Sequence, residues 1–190
     1  MNCLQKIKIR PALPNRYRGK PEFCKDGCVG CAACAKVCPA CCIEVIDDLK
    51  AKTRRLILRL DGCIFCASCQ ANCITAKGIR LSNNYDAASY EKSQMTISVE
   101  KRLLACDSCG SIVGAKDHLL FLAKKLGPLA YANPVLILAN QAELKLGEYS
   151  LSSSSSYRPA AGRTIMFKVL CPNCRRLVIL EDEKTDCQHL

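Results

Sequence analysis

Cys28-Val29-Gly30-Cys31-Ala32-Ala33-Cys34-Ala35-Lys36-Val37-Cys38-Pro39 decides how the rest of the chain is read, because its pattern occurs twice. Cys28, Cys31, Cys34 and Cys38 recur 35 residues later as Cys63, Cys66, Cys69 and Cys73. The segments that follow keep the same shift. Ile43-Glu44-Val45-Ile46 answers to Gly78-Ile79-Arg80-Leu81, and both short runs read as strands. A duplicated unit of loop, one helical turn and strand is therefore expected. Between the copies, Asp47 to Arg55 is charged and turn-like, and Leu56-Ile57-Leu58-Arg59-Leu60 is apolar enough to be a strand leading into the second loop.

Composition narrows what these cysteines do. They belong to a set of 17 in a chain of 190 residues with a formal charge of +11. Chains this rich in Cys are either small secreted disulfide scaffolds or metal and iron–sulfur proteins. Met1 to Lys20 has no continuous apolar stretch of signal-peptide length and is interrupted by Pro11 and Pro14, so a reducing cytoplasm is expected. The most apolar region, Leu119 to Ala139, is broken by Lys124, Lys125, Gly127, Pro128 and Pro134. It falls short of the roughly 20 apolar residues of a membrane span, and a soluble or peripheral chain is expected. Aromatic residues make up 5% and Trp is absent, so the apolar core is thin and metal ligation is expected to help hold one or two small domains.

The spacing Cys-x2-Cys-x2-Cys-x3-Cys-Pro is that of the bacterial two-cluster ferredoxin run, in which the fourth Cys ligates the other cluster. Three cysteines two residues apart keep a loop curled around one cubane with its amides directed at the sulfurs. Cys38 lies about one helical turn, ~5.4 Å, beyond Cys34 and is carried away from that cubane. Cys28, Cys31, Cys34 and Cys73 are thus expected to hold the first 4Fe-4S cluster, and Cys63, Cys66, Cys69 and Cys38 the second. In the second run Ile74 stands where the first has Pro39, which adds an N–H near Cys73.

Cys24, Cys41 and Cys42 lie outside the repeat and read as small buried hydrophobes. Cys24-x3-Cys28-x2-Cys31 spells the spacing of radical enzymes that cleave S-adenosylmethionine, but the run continues through Cys34 and Cys38, and the chain is too short for the usual barrel. Cys3 and Cys187 read as free thiols. Cys106-x2-Cys109 and Cys171-x2-Cys174 offer four further thiolates, suited to a closed mononuclear site for zinc or, as in rubredoxins, for a single iron. The 61 residues between the pairs exceed the ~15–20 of a compact zinc ribbon.

The basic residues at the N-terminus, among them Lys6, Lys8, Arg10, Arg16, Arg18 and Lys20, lack interleaved aromatics for base stacking, so nucleic acid is not the expected partner. Clusters held by thiolates are anionic and offset part of the positive charge. His118 and His189 stand in no nucleophile–base pattern, and no phosphate loop or dinucleotide fingerprint is present. The visible chemistry is one-electron transfer, without a catalytic residue.

The expected architecture is α+β: a bacterial-type two-cluster ferredoxin core with short strands and helical turns, plus a C-terminal four-Cys metal-knuckle extension. Residues 1–21 read as a basic arm, 22–82 as the core and 83–104 as a polar connector wrapping it. The extension spans 105–180, with an insertion at about 128–164 that carries the Ser152–Ser156 linker, and 181–190 reads as a frayed, charged tail. Within the extension, Leu119, Leu122, Ala123 and Leu126 predict a helix over Lys116 to Leu126, closed by Gly127 and Pro128. Val135 to Leu138 suits strand or helix, and Ile165 to Leu170 reads as a strand entering Cys171.

Arg16-Tyr17-Arg18-Gly19-Lys20-Pro21, the first Cys run, Cys63-Ile64-Phe65-Cys66, Ile79-Arg80-Leu81-Ser82-Asn83-Asn84-Tyr85 and Ser89-Tyr90-Glu91-Lys92 resemble the two-cluster ferredoxin subunit of respiratory complex I and of its relatives in membrane-bound, energy-converting nickel–iron hydrogenases. The likeness covers roughly residues 14 to 96. The C-terminal Cys pairs resemble the corresponding iron–sulfur subunit of formate hydrogenlyase and of CO-linked hydrogenases. Ile74, the extra cysteines after Cys38 and the insertion depart from that pattern. The resemblance implies an electron-transfer subunit on the cytoplasmic side of the membrane. It would receive electrons from formate or CO oxidation through a ferredoxin-like input subunit and pass them to the hydrogenase small subunit beside the large subunit. Other subunits would supply the membrane arm.

Overall fold

The computed structural model describes residues 17–84, 91, 95–143 and 168–186. They form a mixed α+β structure whose order is β1 (Pro21–Phe23), α1 (Ala33–Lys36), β2 (Ile43–Asp48), β3 (Thr53–Arg59), α2 (Ser68–Ala71), β4 (Ile79–Leu81), β5 (Thr96–Ala105), β6 (Ile112–Ala115), α3 (Lys116–Leu126), a 3-10 helix (Gly127–Ala132), α4 (Pro134–Glu143) and α5 (Pro172–Asp186). β1 pairs antiparallel with β4, and a second antiparallel sheet runs β2-β3-β5-β6. Among the described residues no helix is long and apolar enough to cross a membrane.

The repeat is carried by the backbone as well as by the cysteines. α1 and α2 are each four residues long and begin 35 positions apart. Left-handed backbone occurs at Gly30, Ala32 and Cys41 and again, at the same shift, at Phe65, Ala67 and Ala76. Gly30 adopts this conformation without strain, whereas Phe65 adopts it against the preference of a residue with a side chain. The chain therefore bends at corresponding points in both copies.

β3 organises the interior because successive side chains leave a strand on opposite faces. Arg54, Leu56, Leu58 and, just beyond the strand, Leu60 share the inner face, where the three leucines are buried. Leu56 lies opposite Val45 and Val99, and Leu58 opposite Ile43 and Ile97. Charged partners occupy other positions: Arg55 pairs with Glu100 at 3.3 Å, and Arg59 with Glu44 at 3.2 Å. Leu58 is fully buried, so Leu58→Ala is expected to cost about 2–5 kcal/mol, read as a lowered midpoint of urea unfolding. A loss below about 1 kcal/mol would show that the site collapses around the vacancy.

Several expectations are corrected. The stretch 83–104 is not all connector, since β5 occupies much of it and lies beside β3 in the sheet. Its inward residues Ile97, Val99 and Leu103 alternate with Thr96, Ser98, Glu100 and Arg102, so the polar composition is that of an exposed face. β6 extends the same sheet directly into the extension. α3 occupies the expected residues and ends at Gly127 in a positive-φ conformation. Val135 to Leu138 is helical within α4, so the first part of the insertion is a helical segment packed on α3. Lys168 to Leu170 forms no strand. The tail is helical through Asp186. Cys3, the basic residues before Tyr17, Ser152–Ser156, Ile165 to Phe167, Cys187 and His189 lie outside the described residues.

Candidate metal centres

The two Cys runs form two pockets. Cys28, Cys31, Cys34 and Cys73 line the first, together with Phe23, Leu56, Ile74 and Ile79. Cys38, Cys63, Cys66 and Cys69 line the second, together with Pro21, Ile43, Leu58 and Ile64. Of the eight cysteines of the two runs, each pocket thus takes three from one run and one from the other, the crossed grouping expected from the spacing, and Cys42 joins the second. The two are narrow and alike, each about 20 Å3.

The pockets differ from an ordinary apolar core in their chemistry. Among the described residues no other polar side chain is fully buried, so the thiols sit in surroundings that disfavour charge. Burial pushes the Cys34 thiol up to about 12, with Cys28 and Cys31 adding to it, and raises Cys28 and Cys69 for the same main reason. A coordinated cation removes this penalty, since a metal-bound thiol is deprotonated outright. The crossed cysteines behave in the opposite sense. Burial opposes it, yet amides of Cys42, Ala40 and Ile43 and the Cys42 thiol hold Cys38 low. For Cys73 burial is likewise outweighed, by the Thr75 hydroxyl and the amides of Thr75, Gly78 and Ile79. Ala40 and Thr75, and Ile43 and Gly78, are repeat mates. The strongest amides at Cys73 are therefore not the one that Ile74 adds over Pro39.

The wall of the first pocket is closely packed. A Cβ on Gly78 would lie 3.1 Å from Cys73 Sγ and 3.1 Å from Cys28 Cα, so the backbone approaches as closely as glycine permits. The loop above it is held from the sheet. Arg54 makes paired contacts to Asp47 at 2.7 and 2.8 Å and donates from Nη1 to the Gly30 carbonyl at 3.0 Å. Lys101, opposite Arg54 on β5, donates to the Lys25 carbonyl and to Asp117, both at 2.8 Å. Two cations are thereby fixed beside the first pocket. At the second, Arg18 donates to the Cys66 carbonyl at 3.4 Å.

The C-terminal cysteines form a different kind of group. The Sγ atoms of Cys106, Cys109, Cys171 and Cys174 all lie within 4.8 Å of one another, and Cys109 and Cys171 are 3.7 Å apart. Four sulfurs bound at about 2.3 Å to one tetrahedral ion would be about 3.8 Å apart. The donor set therefore fits a single ion. Gly110, with positive φ, turns the first knuckle, and its N–H donates to the Cys106 carbonyl at 2.9 Å. The second knuckle opens α5 with Pro172 in the first turn, where its missing N–H costs nothing. Asp107 joins the two: its N–H donates to the Val169 carbonyl at 2.8 Å, and its carboxylate accepts from the Val169 N–H at 2.7 Å. The Ser111 hydroxyl and the Cys174 amide bring Cys171 down to about 6, while hydrogen bonds with Cys109 and Cys171 keep the proton on Cys174 and push it up to about 12.

The remaining thiols divide. Cys24 and Cys41 are exposed, which corrects their reading as buried hydrophobes, because each occupies a turn facing solvent. Cys42 is buried and lines the second pocket. His118 is half-buried on α3 and, held low by burial, belongs to no thiol group. Sequence reasoning passed over the hydroxyls two residues beyond three candidate ligands: Ser68 at 3.4 Å from Cys66, Thr75 at 3.4 Å from Cys73, and Ser111 at 3.1 Å from Cys109. Their common offset was a signal available in the chain. Comparison with known proteins finds no matching family model and no matching curated protein.

Proposed function

We propose that this chain is an electron-transfer subunit carrying two 4Fe-4S clusters and one mononuclear metal, zinc ahead of iron. The observation that carries the proposal is the crossed partition of eight cysteines between two near-equal pockets. Cys28, Cys31, Cys34 and Cys73 would hold one cluster, and Cys63, Cys66, Cys69 and Cys38 the other. Such clusters supply one-electron transfer when bound.

What the protein contributes is environment. Leu56, Leu58, Phe23 and Ile79 exclude water, and the amides at Cys38 and Cys73 stabilise sulfur charge and so favour the reduced state. Arg54 and Lys101 are held beside the first pocket, each paired with a carboxylate, and Arg18 stands beside the second. Ile74 and Ile64 line the two pockets yet are 41% and 63% exposed. The docked reading rests on the chain's resemblance to subunits of such assemblies.

The assembly that suits the chain is the peripheral, cytoplasmic arm of a complex I-related, membrane-bound nickel–iron hydrogenase. Its input would be a ferredoxin-like subunit fed by formate or CO oxidation, and its output the small subunit. The C-terminal tetrathiolate group favours this over the complex I subunit, which lacks such an extension. Metal analysis with low-temperature EPR of the reduced full chain is expected to find about eight cluster irons and two interacting spin systems. One cluster or none would overturn the proposal, and purification as a single chain without large partners would overturn the docked reading.

A further inference from the structure

The geometry points to a second pocket built from five thiols, in which Cys42 is a reserve ligand able to replace Cys38 on the same iron. This rests on the two-cluster reading of the chain. Cys42 is 3% exposed, lines the pocket together with Cys38, Cys63, Cys66 and Cys69, and places its Sγ 3.4 Å from Cys38 Sγ. Two sulfurs can each bond one ion at about 2.3 Å whenever they are less than about 4.6 Å apart. One iron position is therefore within reach of both.

The placement of Cys42 is fixed by the backbone. Cys41 N–H donates to the Cys38 carbonyl at 3.2 Å, and Cys41 takes a left-handed conformation that turns the next residue inward. The Cys42 carbonyl then accepts from the Arg59 N–H at 2.8 Å, which ties it to the end of β3. The other copy of the repeat makes the same turn, with Ala76 N–H on the Cys73 carbonyl at 2.9 Å, but the residue that follows is Lys77, and it is exposed. The first pocket thus has four thiols and the second has five.

Exchange leaves the electron count unchanged. The Fe–S bond to Cys38 breaks as one to Cys42 forms, and the Cys42 thiol proton passes to the departing Cys38 thiolate. Iron keeps one thiolate throughout, so no outside reductant or oxidant is required.

The repeat supplies its own control. In the full chain, Cys38→Ala is expected to keep about eight cluster irons with an altered EPR signal from the second cluster, because Cys42 takes the vacant position. Cys73→Ala, with no spare thiol in its pocket among the described residues, is expected to lose iron from the first cluster, and the double variant Cys38→Ala/Cys42→Ala to lose it from the second. Equal loss in Cys38→Ala and Cys73→Ala, with the parent protein at about eight irons, would overturn the inference alone. A parent protein without clusters would overturn the function proposed above and the inference with it. A second measurement leaves the eight repeat cysteines in place: Cys42→Ala is expected to release iron to a chelator several-fold faster than the parent, and an unchanged rate would overturn the exchange.

Discussion

Replacement of Cys34 by Ser is expected to remove one whole cluster, lowering cluster iron from about eight to about four per chain. Cys34 is the strongest test of the first pocket because it is 8% exposed, sits on α1 and, among the described residues, shares the pocket only with the other three cysteines of its set. Its proton is held tightly by burial, so the site is unfavourable for an anion until a cation arrives. A serine hydroxyl is harder to ionise than a thiol and is a poor ligand for iron. Cys69→Ser is expected to do the same to the second pocket, where Cys69 is also raised by burial. Iron analysis on anaerobically purified protein reads both. A Cys34→Ser variant with unchanged iron would overturn the assignment of the first cluster. Loss of all iron in either variant would show that the two pockets are one folding unit, with β3 transmitting the loss through Leu56 and Leu58.

Cys171→Ala is expected to release one metal per chain and to free α5 while leaving cluster iron unchanged. The Sγ atoms of the group converge on a point, so removal of one leaves three ligands and an open position. Structural tetrathiolate sites contribute on the order of 10 kcal/mol of folding free energy, comparable with the ~5–15 kcal/mol that holds a whole domain. The apolar contacts here are few: Leu170 with Cys106 and Cys171, and Val113 and Val178 beside them. Without metal, these cannot retain α5 against solvent. Trypsin cleavage after Arg175 and Arg176, read by mass spectrometry, is expected to accelerate about tenfold or more, the amount that a loss of ~1.4 kcal/mol in local stability would produce. Chelator treatment of the parent protein should reproduce the effect. Unchanged cleavage together with an unchanged metal count would overturn the site.

The pairing of cysteines within each copy, the two short helices and the strands that follow them were legible from a 35-residue shift, because spacing along a chain survives without any partner. α3 was legible for a similar reason: its apolar residues recur at helical intervals and Gly127 closes it. β5 was not, since Glu100, Lys101 and Arg102 form a charged run that interrupts its apolar alternation, and Lys101 turns inward where Asp117 and the Lys25 carbonyl receive it. Cys42 reads in the sequence as one more small hydrophobe. Its closeness to Cys38 depends on the left-handed turn at Cys41 and on the bond to Arg59, neither of which has a signature in the residue itself.

Sequence alone determined which thiols form sets, because ligand spacing within a loop is a local matter of a few backbone dihedrals. Only the tertiary structure decided what surrounds those sets. It placed Cys73 at the first pocket and Cys38 at the second, as the spacing anticipated, set Cys106 and Cys109 beside Cys171 and Cys174 across 61 intervening residues, and added what the spacing did not carry, a fifth thiol at the second pocket. The position of such a thiol depends on sheet pairing and burial acting together, and no spacing rule carries that information.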